Sequence, residues 1–455
     1  MKQSIRLCTP TMLARSEKAA TVILYAMMAG CCVFGSGRVL SIGSVGLRML
    51  LLAALLLASL PLILNQWRQL SKNRYVQFVA LFFLWLALSA LIGFLRGNDP
   101  VILLTDLKGF SYFVFLTPAL CVLNSPKRIT GLMKTMLYSS AVLALLHIGT
   151  LCAYLIDPDK TEWFFRNFLQ LQLGWLDQIS ATMTRLFFRS VVYLLCGCGF
   201  ALYFYVFEEK KLRYPFLAGL CLFAILLSYT RSLYLGFAIA GILCVGSILL
   251  WGNTTQRKRL LAFTAVALSV FFLITALFSL TQKEDYLGFA FDRVFSLAKA
   301  PSESAQRTLS VHPLLSSTSL EDYLQSSKDS DILRAQTMEE MVAKIKESPL
   351  FGHGLGIHWT VRAETGGVSE YFYLDLLAKT GIIGFGLYFS PIIYTLFLWL
   401  KKGANPTKMI WMGILLGFLA VSYFNPYMNS SLGILFYCCS ISVFCVQDLQ
   451  TQTNI

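Results

Sequence analysis

Residues 210–259 read KKLRYPFLAGLCLFAILLSYTRSLYLGFAIAGILCVGSILLWGNTTQRKR, and this stretch decides the class of fold. Between the basic cluster Lys210, Lys211, Arg213 and the basic cluster Arg257, Lys258, Arg259 lie two apolar runs, Tyr214–Tyr229 and Ser232–Trp251, with no charged side chain in either. A helix of about 20 apolar residues spans the hydrocarbon core of a bilayer. Arg231 is the only charge between the runs. The pattern predicts a helical pair that enters and leaves a membrane from its basic side, with Arg231 at the far turn.

The same unit recurs in both directions. Expected spans precede it at Ala19–Gly35, Val45–Leu64, Tyr75–Phe94, Leu103–Leu123, Met136–Ile156 and Leu186–Phe207. Others follow at Leu260–Leu280, Ile382–Leu400, Met409–Phe424 and Leu432–Val446. Every second connection carries a basic cluster: Arg68, Lys72 and Arg74; Lys127 and Arg128; the two clusters already named; and Lys401, Lys402 and Lys408. Such clusters mark the cytoplasmic side, so adding or removing one span would break the alternation.

The expected fold is therefore an all-α polytopic membrane protein of about twelve transmembrane helices with a large outer loop between helices nine and ten. Residues 1–18 form a cytoplasmic tail, 19–280 carry helices one to nine, 281–381 lie outside, 382–446 carry the last three helices, and 447–455 return to the cytoplasm. The basic start precedes an apolar run with no small-residue cleavage site and reads as a signal anchor.

Composition agrees, with 56% apolar and 14% charged residues. The formal charge of +14 is dispersed in short tails between apolar blocks, not gathered on one basic face, which argues against nucleic acid as a partner. Of the twelve cysteines all but Cys8 fall inside or at the ends of apolar runs, so neither a disulfide framework nor a zinc site is indicated.

Chemistry is expected on the outer side. In the long outer segment, Ala300–Ser330 is Ser-rich and reads as irregular. An amphipathic helix is predicted over Asp331–Ser348, stopped by Pro349, with Arg334 on one face with Met338, Met341, Val342 and Ile345. A glycine-rich turn follows, Phe351-Gly352-His353-Gly354-Leu355-Gly356, and Ser369–Gly381 then leads into the next span. Arg231 and Arg334 are candidates for binding a pyrophosphate, because a guanidinium presents a planar fork of donors to phosphate oxygens. Glu370 is read either as a carboxylate at a helix N-terminus or as a general base for a sugar hydroxyl. Arg185, Arg189 and His353 are further candidates for anion or substrate contact, and His358 a weaker one. His147 reads as an interior residue, and Asp106 and Lys108 as an intrahelical polar feature or the rim of a cavity. No paired acidic metal motif, no phosphate loop with its Lys and no Ser/His/Asp arrangement occurs, so no metal or cofactor is expected.

Three of these segments together resemble the O-antigen ligase and polymerase superfamily, bacterial membrane proteins acting on glycans carried by undecaprenyl pyrophosphate. Ser228-Tyr229-Thr230-Arg231-Ser232 is similar to the family's outer-face Arg motif. Asp331-Ile332-Leu333-Arg334 with Pro349–Gly356 is similar to its Arg helix and "PlfGxGxG" turn, and Glu370–Gly384 to its "HNxxLxxLaxxGxxG" segment. The resemblance covers roughly residues 220–390 and departs at one place, where Glu370 stands for the His usual in ligases. It implies a metal-independent membrane glycosyltransferase in the bacterial inner membrane, active at the periplasmic face. Arg231 and Arg334 would hold the donor pyrophosphate, Glu370 would act on the acceptor hydroxyl, and Arg189 and His353 would contact substrate. The implied partners are the lipid-linked glycan donor, a glycan or lipid A core acceptor, a chain-length regulator and the bilayer.

Glu370 favours a polymerase of O-antigen or exopolysaccharide repeats, with a ligase to lipid A core as the alternative. A lipid-linked oligosaccharide flippase is the rival from another class. It predicts charges near mid-membrane, whereas the notable charges here lie toward the outer face.

Overall fold

The computed structural model describes residues 9–35, 46–167, 174–178, 184–282, 286–295, 333–361, 369–402 and 405–452. The stretch Ala300–Ser330, expected to be irregular, lies outside these. In chain order the helices begin with α1 (Pro10–Phe34), α2 (Leu47–Leu70), α3 (Arg74–Leu95), α4 (Pro100–Ser111), α5 (Leu116–Val122), α6 (Pro126–Ile156) and α7 (Pro158–Asn167). An antiparallel hairpin follows, β1 (Gly174–Gln178) and β2 (Thr184–Phe188), with Gly174 opposite Phe188 and Asp177 opposite Arg185. Then come α8 (Leu194–Tyr203), α9 (Arg213–Leu227), α10 (Arg231–Trp251), α11 (Thr254–Gln282) and α12 (Tyr286–Phe295). A helix over residues 333–347, α13, precedes α14 (Phe372–Lys402), α15 (Pro406–Val421) and α16 (Ser431–Gln452).

Among the described residues nine helical stretches are long and apolar enough to cross a membrane. Three shorter apolar helices, Arg213–Leu227, Pro406–Val421 and Ser431–Cys445, fall on the remaining expected spans. The protein is thus an all-α polytopic membrane protein, with one short hairpin as the departure. That hairpin corrects the expected sixth span. Residues from Leu186 pair in β2, and the membrane-length helical stretch starts at Val191. A short apolar run such as Leu186-Phe187-Phe188 carries no periodicity that separates strand from helix, and pairing with β1 decides the matter.

The chain divides into two compact units. The first comprises Met1–Gly30, Ser41–Thr135 and Ala335–Ile455. Here α14 runs along α3, with the Tyr75 and Thr395 hydroxyls 3.0 Å apart. At its centre Phe82, Phe113 and Tyr388 meet edge to face at 5.5 Å, a geometry that sets ring edges against the electron-rich faces. The buried phenols are paired: Tyr388 donates to the Met428 carbonyl at 2.7 Å and Tyr437 to the Tyr388 carbonyl at 2.8 Å. Neither hydroxyl is left to bear its burial cost alone.

The second unit comprises Cys31–Leu40 and Met136–Arg334. Here α9 packs between α8 and α11, and at Gly219 the approach is so close that a Cβ would lie 2.7 Å from Val270. Small residues at such crossings let helices gain van der Waals contact where lipid supplies no hydrophobic drive. Toward one end, Leu151, Phe223, Leu226, Leu227, Tyr229 and Phe278 form a buried cluster that also holds Tyr286 and Ala290 of α12.

Candidate functional site

The turn between α9 and α10 carries Arg231. Ser228, Tyr229 and Thr230 are all buried, and Arg231 is the half-buried first residue of α10. The turn is held by its own side chains. Ser228 Oγ donates to the Ile225 carbonyl at 2.8 Å and accepts from the Thr230 N–H at 3.3 Å, and Thr230 Oγ1 donates to the Ser228 carbonyl at 3.0 Å. Tyr229 sits at φ +44°, a left-handed conformation that is an outlier for a bulky residue and that persists only where surroundings enforce it. Thr230, the N-cap residue, makes no side-chain cap bond to α10. Arg231 therefore stands where the helix macrodipole is positive, and guanidinium and dipole both favour an anion.

Arg189 is half-buried in the turn after β2, its Cβ against Gly35 at the end of α1. Arg185, on β2, turns its guanidinium to the turn between α9 and α10. Its Nε donates to the Ser228 carbonyl at 3.2 Å and its Nη2 to Thr230 Oγ1 at 3.4 Å. His147 is the interior residue expected, fully buried, with Nδ1 2.9 Å from the Leu143 carbonyl and its ring 4.3 Å from that of Phe188. Arg334 is half-buried on α13. The buried stripe of that helix runs through Thr337 and Met341, three and seven residues on, while Met338 is exposed. Arg334 keeps to the inward face, and Met338 was wrongly assigned to it.

In the first unit the glycine-rich turn stitches a broken helix. Gly381 interrupts α14 with φ +65° and ψ −176°, so the carbonyls of Ala378 and Lys379 lose the i+4 donors of a regular helix. The turn replaces them. The His353 N–H bonds the Ala378 carbonyl at 2.8 Å, the Gly354 N–H bonds that of Lys379 at 3.0 Å, and Trp85 Nε1 of α3 also bonds that of Thr380 at 2.9 Å. Conversely the Ile382 N–H finds the Pro349 carbonyl at 2.9 Å. A broken helix at membrane depth is tolerated only when its released groups are satisfied in this way. The next N–H groups are also committed, Leu355 to the Ser89 carbonyl at 3.1 Å and Gly356 to Asp106 Oδ2 at 3.0 Å. From Gly352 to Gly356 each N–H bonds to the protein, so these donors brace the fold and do not cradle a phosphate. Glycine is required where backbones touch: at Gly354, φ +86°, a Cβ would lie 2.1 Å from the Gly93 nitrogen.

His353 is half-buried, its Nε2 donating to the Lys344 carbonyl at 2.9 Å. Burial holds the imidazole below its ordinary proton affinity, and the charges of Arg96 and Lys344 act the same way. The ring is a support of the turn. His358 is exposed. Glu370 is half-buried two residues before α14, next to buried Ser369, whose Oγ accepts the Tyr371 N–H at 3.0 Å. The five candidates thus fall two ways: Arg189, Arg231 and Arg334 in the second unit, His353 and Glu370 in the first.

Sequence reasoning missed the strongest electrostatic feature of the first unit. Lys379 Nζ lies 2.9 Å from Asp106 Oδ1 and 2.9 Å from Asp375 Oδ2, with the Lys side chain 2% exposed. Trp359 Nε1 donates to Asp375 Oδ1 at 3.0 Å, so each carboxylate has a second donor besides the ammonium. The cluster joins α4, α14 and the glycine turn. Lys108, paired with Asp106 in the sequence reading, is exposed and outside it. The spacing of Asp375 and Lys379 on one helix face was a usable signal; Asp106, 273 residues from Lys379, offered none. Among the described residues no group of three or more His, Cys, Asp or Glu could hold a metal ion.

Residues 216–389 match the family model described as O-Antigen ligase, a region that contains Arg231, Arg334, the glycine turn, Glu370 and Lys379. That region falls within the O-antigen ligase and polymerase superfamily. The chain is a multi-pass membrane protein, and this part of it is similar to the O-antigen ligase family. No curated protein matches it.

Proposed function

We propose that the protein is a polymerase of O-antigen or exopolysaccharide repeat units, working at the periplasmic face of the bacterial inner membrane. The observation that carries this reading is Arg231, half-buried at the N-terminus of α10 on a turn whose neighbours are buried and hydrogen-bonded, within the matched region. Such an arrangement suits a pyrophosphate. Arg231 and Arg334 bind the undecaprenyl pyrophosphate of the donor and stabilise the charge that grows on it as it leaves, each charge-assisted contact being worth roughly 1.5–3 kcal/mol. The acceptor hydroxyl oxygen forms a bond to the anomeric carbon while the bond from that carbon to the pyrophosphate oxygen breaks, with inversion. The pyrophosphate takes the electron pair, and Glu370 takes the hydroxyl proton. The bond energy is already in the donor, so neither a nucleotide nor a metal is invoked. A chain-length regulator is the further partner this reading expects.

A ligase to lipid A core is the second reading, favoured by the family description, whereas Glu370 in place of the ligase His favours the polymerase. Deleting and restoring the protein in its host separates them by glycan length. Single repeats still reaching the surface acceptor identify a polymerase; full-length polymer stranded on undecaprenyl pyrophosphate identifies a ligase. Arg231→Ala or Arg334→Ala protein that accumulates in the membrane should lose transfer, and normal glycan from both would overturn the assignment.

A further inference from the structure

The hairpin β1–β2 is the one non-helical element among the described residues, and its Arg185 reaches the turn that carries Arg231. The two acceptors of Arg185, the Ser228 carbonyl at 3.2 Å and Thr230 Oγ1 at 3.4 Å, lie on either side of Tyr229. They bracket the residue held at φ +44°. The hydrogen bonds among Ile225, Leu226, Ser228, Tyr229 and Thr230 are local, linking residues no more than three apart. The grip of Arg185 comes from a different element, 43 and 45 residues earlier in the chain. Its guanidinium is itself fixed, lying 5.3 Å from the centroid of the Phe187 ring. Thr230 Oγ1 is thereby engaged with the turn and Arg185, and Thr230 makes no side-chain cap bond to α10.

We propose that Arg185 is a positioning residue that sets the conformation of the Ser228–Thr230 turn and so the direction in which Arg231 is presented. This rests on the reading of Arg231 as a pyrophosphate ligand and adds the device that pre-organises it. The fork matters as well as the charge. Lys offers its three N–H donors from one nitrogen on a flexible stem and does not reproduce the planar fork, whose separate nitrogens reach the carbonyl and the hydroxyl. A contact that merely stabilised the fold would change how much protein is folded and leave the affinity of each folded molecule unaltered.

The test is binding of undecaprenyl pyrophosphate to the full-length protein in detergent, scaled to the folded fraction. Arg231→Ala should weaken binding roughly tenfold or more, the worth of a charge-assisted contact. Arg185→Ala should weaken it by roughly threefold to tenfold, a typical coupling between neighbouring groups. The double variant should bind no more weakly than Arg231→Ala alone, because Arg185 acts through Arg231. Arg185→Lys should behave close to Arg185→Ala, and Thr230→Val, which keeps the volume and removes one acceptor, should reproduce part of the loss. These last two keep the question answerable if Arg185→Ala fails to fold. Wild-type affinity in both Arg185→Lys and Thr230→Val, or losses that multiply in the double variant, would overturn the proposal. Wild-type affinity in Arg231→Ala would instead remove the pyrophosphate reading beneath it.

Discussion

Replacing Lys379 by Met removes the ammonium and keeps most of the volume, so it isolates what the charge contributes. In the native arrangement Lys379 is shared by Asp106 and Asp375 at 2.9 Å each, with side-chain exposures of 14% and 6% for the two carboxylates. After the substitution Asp375 remains buried and Asp106 half-buried, each with a single neutral donor, Gly356 N–H for Asp106 and Trp359 Nε1 for Asp375. Breaking a buried pair by removing one partner costs about 3–5 kcal/mol, because the other charge is left uncompensated. At roughly 2 °C per kcal/mol for a large chain, the melting temperature of the purified protein should fall by about 6–10 °C. The triple variant Lys379→Met, Asp106→Asn, Asp375→Asn removes the stranded charges and should regain most of the loss, since neutral replacement of a whole buried cluster is often tolerated. The assay is thermal unfolding in one detergent at one pH. A wild-type melting temperature for Lys379→Met would refute the view that this ammonium holds the site together. A triple variant as unstable as the single one would show that shape rather than charge is what the cluster supplies.

Gly354→Ala should be severe, because its Cβ would meet backbone 2.1 Å away at a residue with φ +86°. Strain and overpacking together give a loss of about 3–5 kcal/mol, read as a fall in melting temperature or in folded yield. His353 makes stability depend on pH. Its folded proton affinity lies below its ordinary value near 6.5, so the unfolded chain binds more protons in the interval between the two, and stability rises with pH there. The contribution is complete above about pH 6.5 and is lost as pH falls toward the lowered folded value. His353→Gln should flatten that slope in a series of thermal melts, and an unchanged slope would exclude His353 as its source.

The spans were legible because the bilayer imposes a length and an apolar composition, both local properties of sequence. Even the short helices Arg213–Leu227 and Pro406–Val421 fell where apolar runs were counted. The β2 strand was illegible for the opposite reason. Leu186, Phe187 and Phe188 look like the start of a span, and only pairing with Gly174–Gln178 makes them a strand. Arg231 stood out in the sequence because a charge between two spans has few structural excuses, and Arg334 because its helix has a periodic face; the fold leaves both half-buried. Arg185 was visible as a residue, but its acceptors at Ser228 and Thr230 are set by folding alone. The glycines of Gly352–Gly356 announced a tight turn; that their N–H groups serve the ends of a broken helix depends on Gly381 lying alongside.

That break has a mechanical consequence. In an unbroken α-helix, adding or deleting one residue at the start turns everything beyond it by about 100°, so changes before the helix are felt along its whole length. At Gly381 the backbone leaves helical geometry and is fastened on both sides to the segment Pro349–Gly354. The short leg from Phe372 to Thr380, which follows Glu370, is thereby insulated in phase from the leg that crosses the membrane. Insertions or deletions before Ser369 can therefore reshape the 372–380 leg and what precedes it without rotating the residues beyond Gly381.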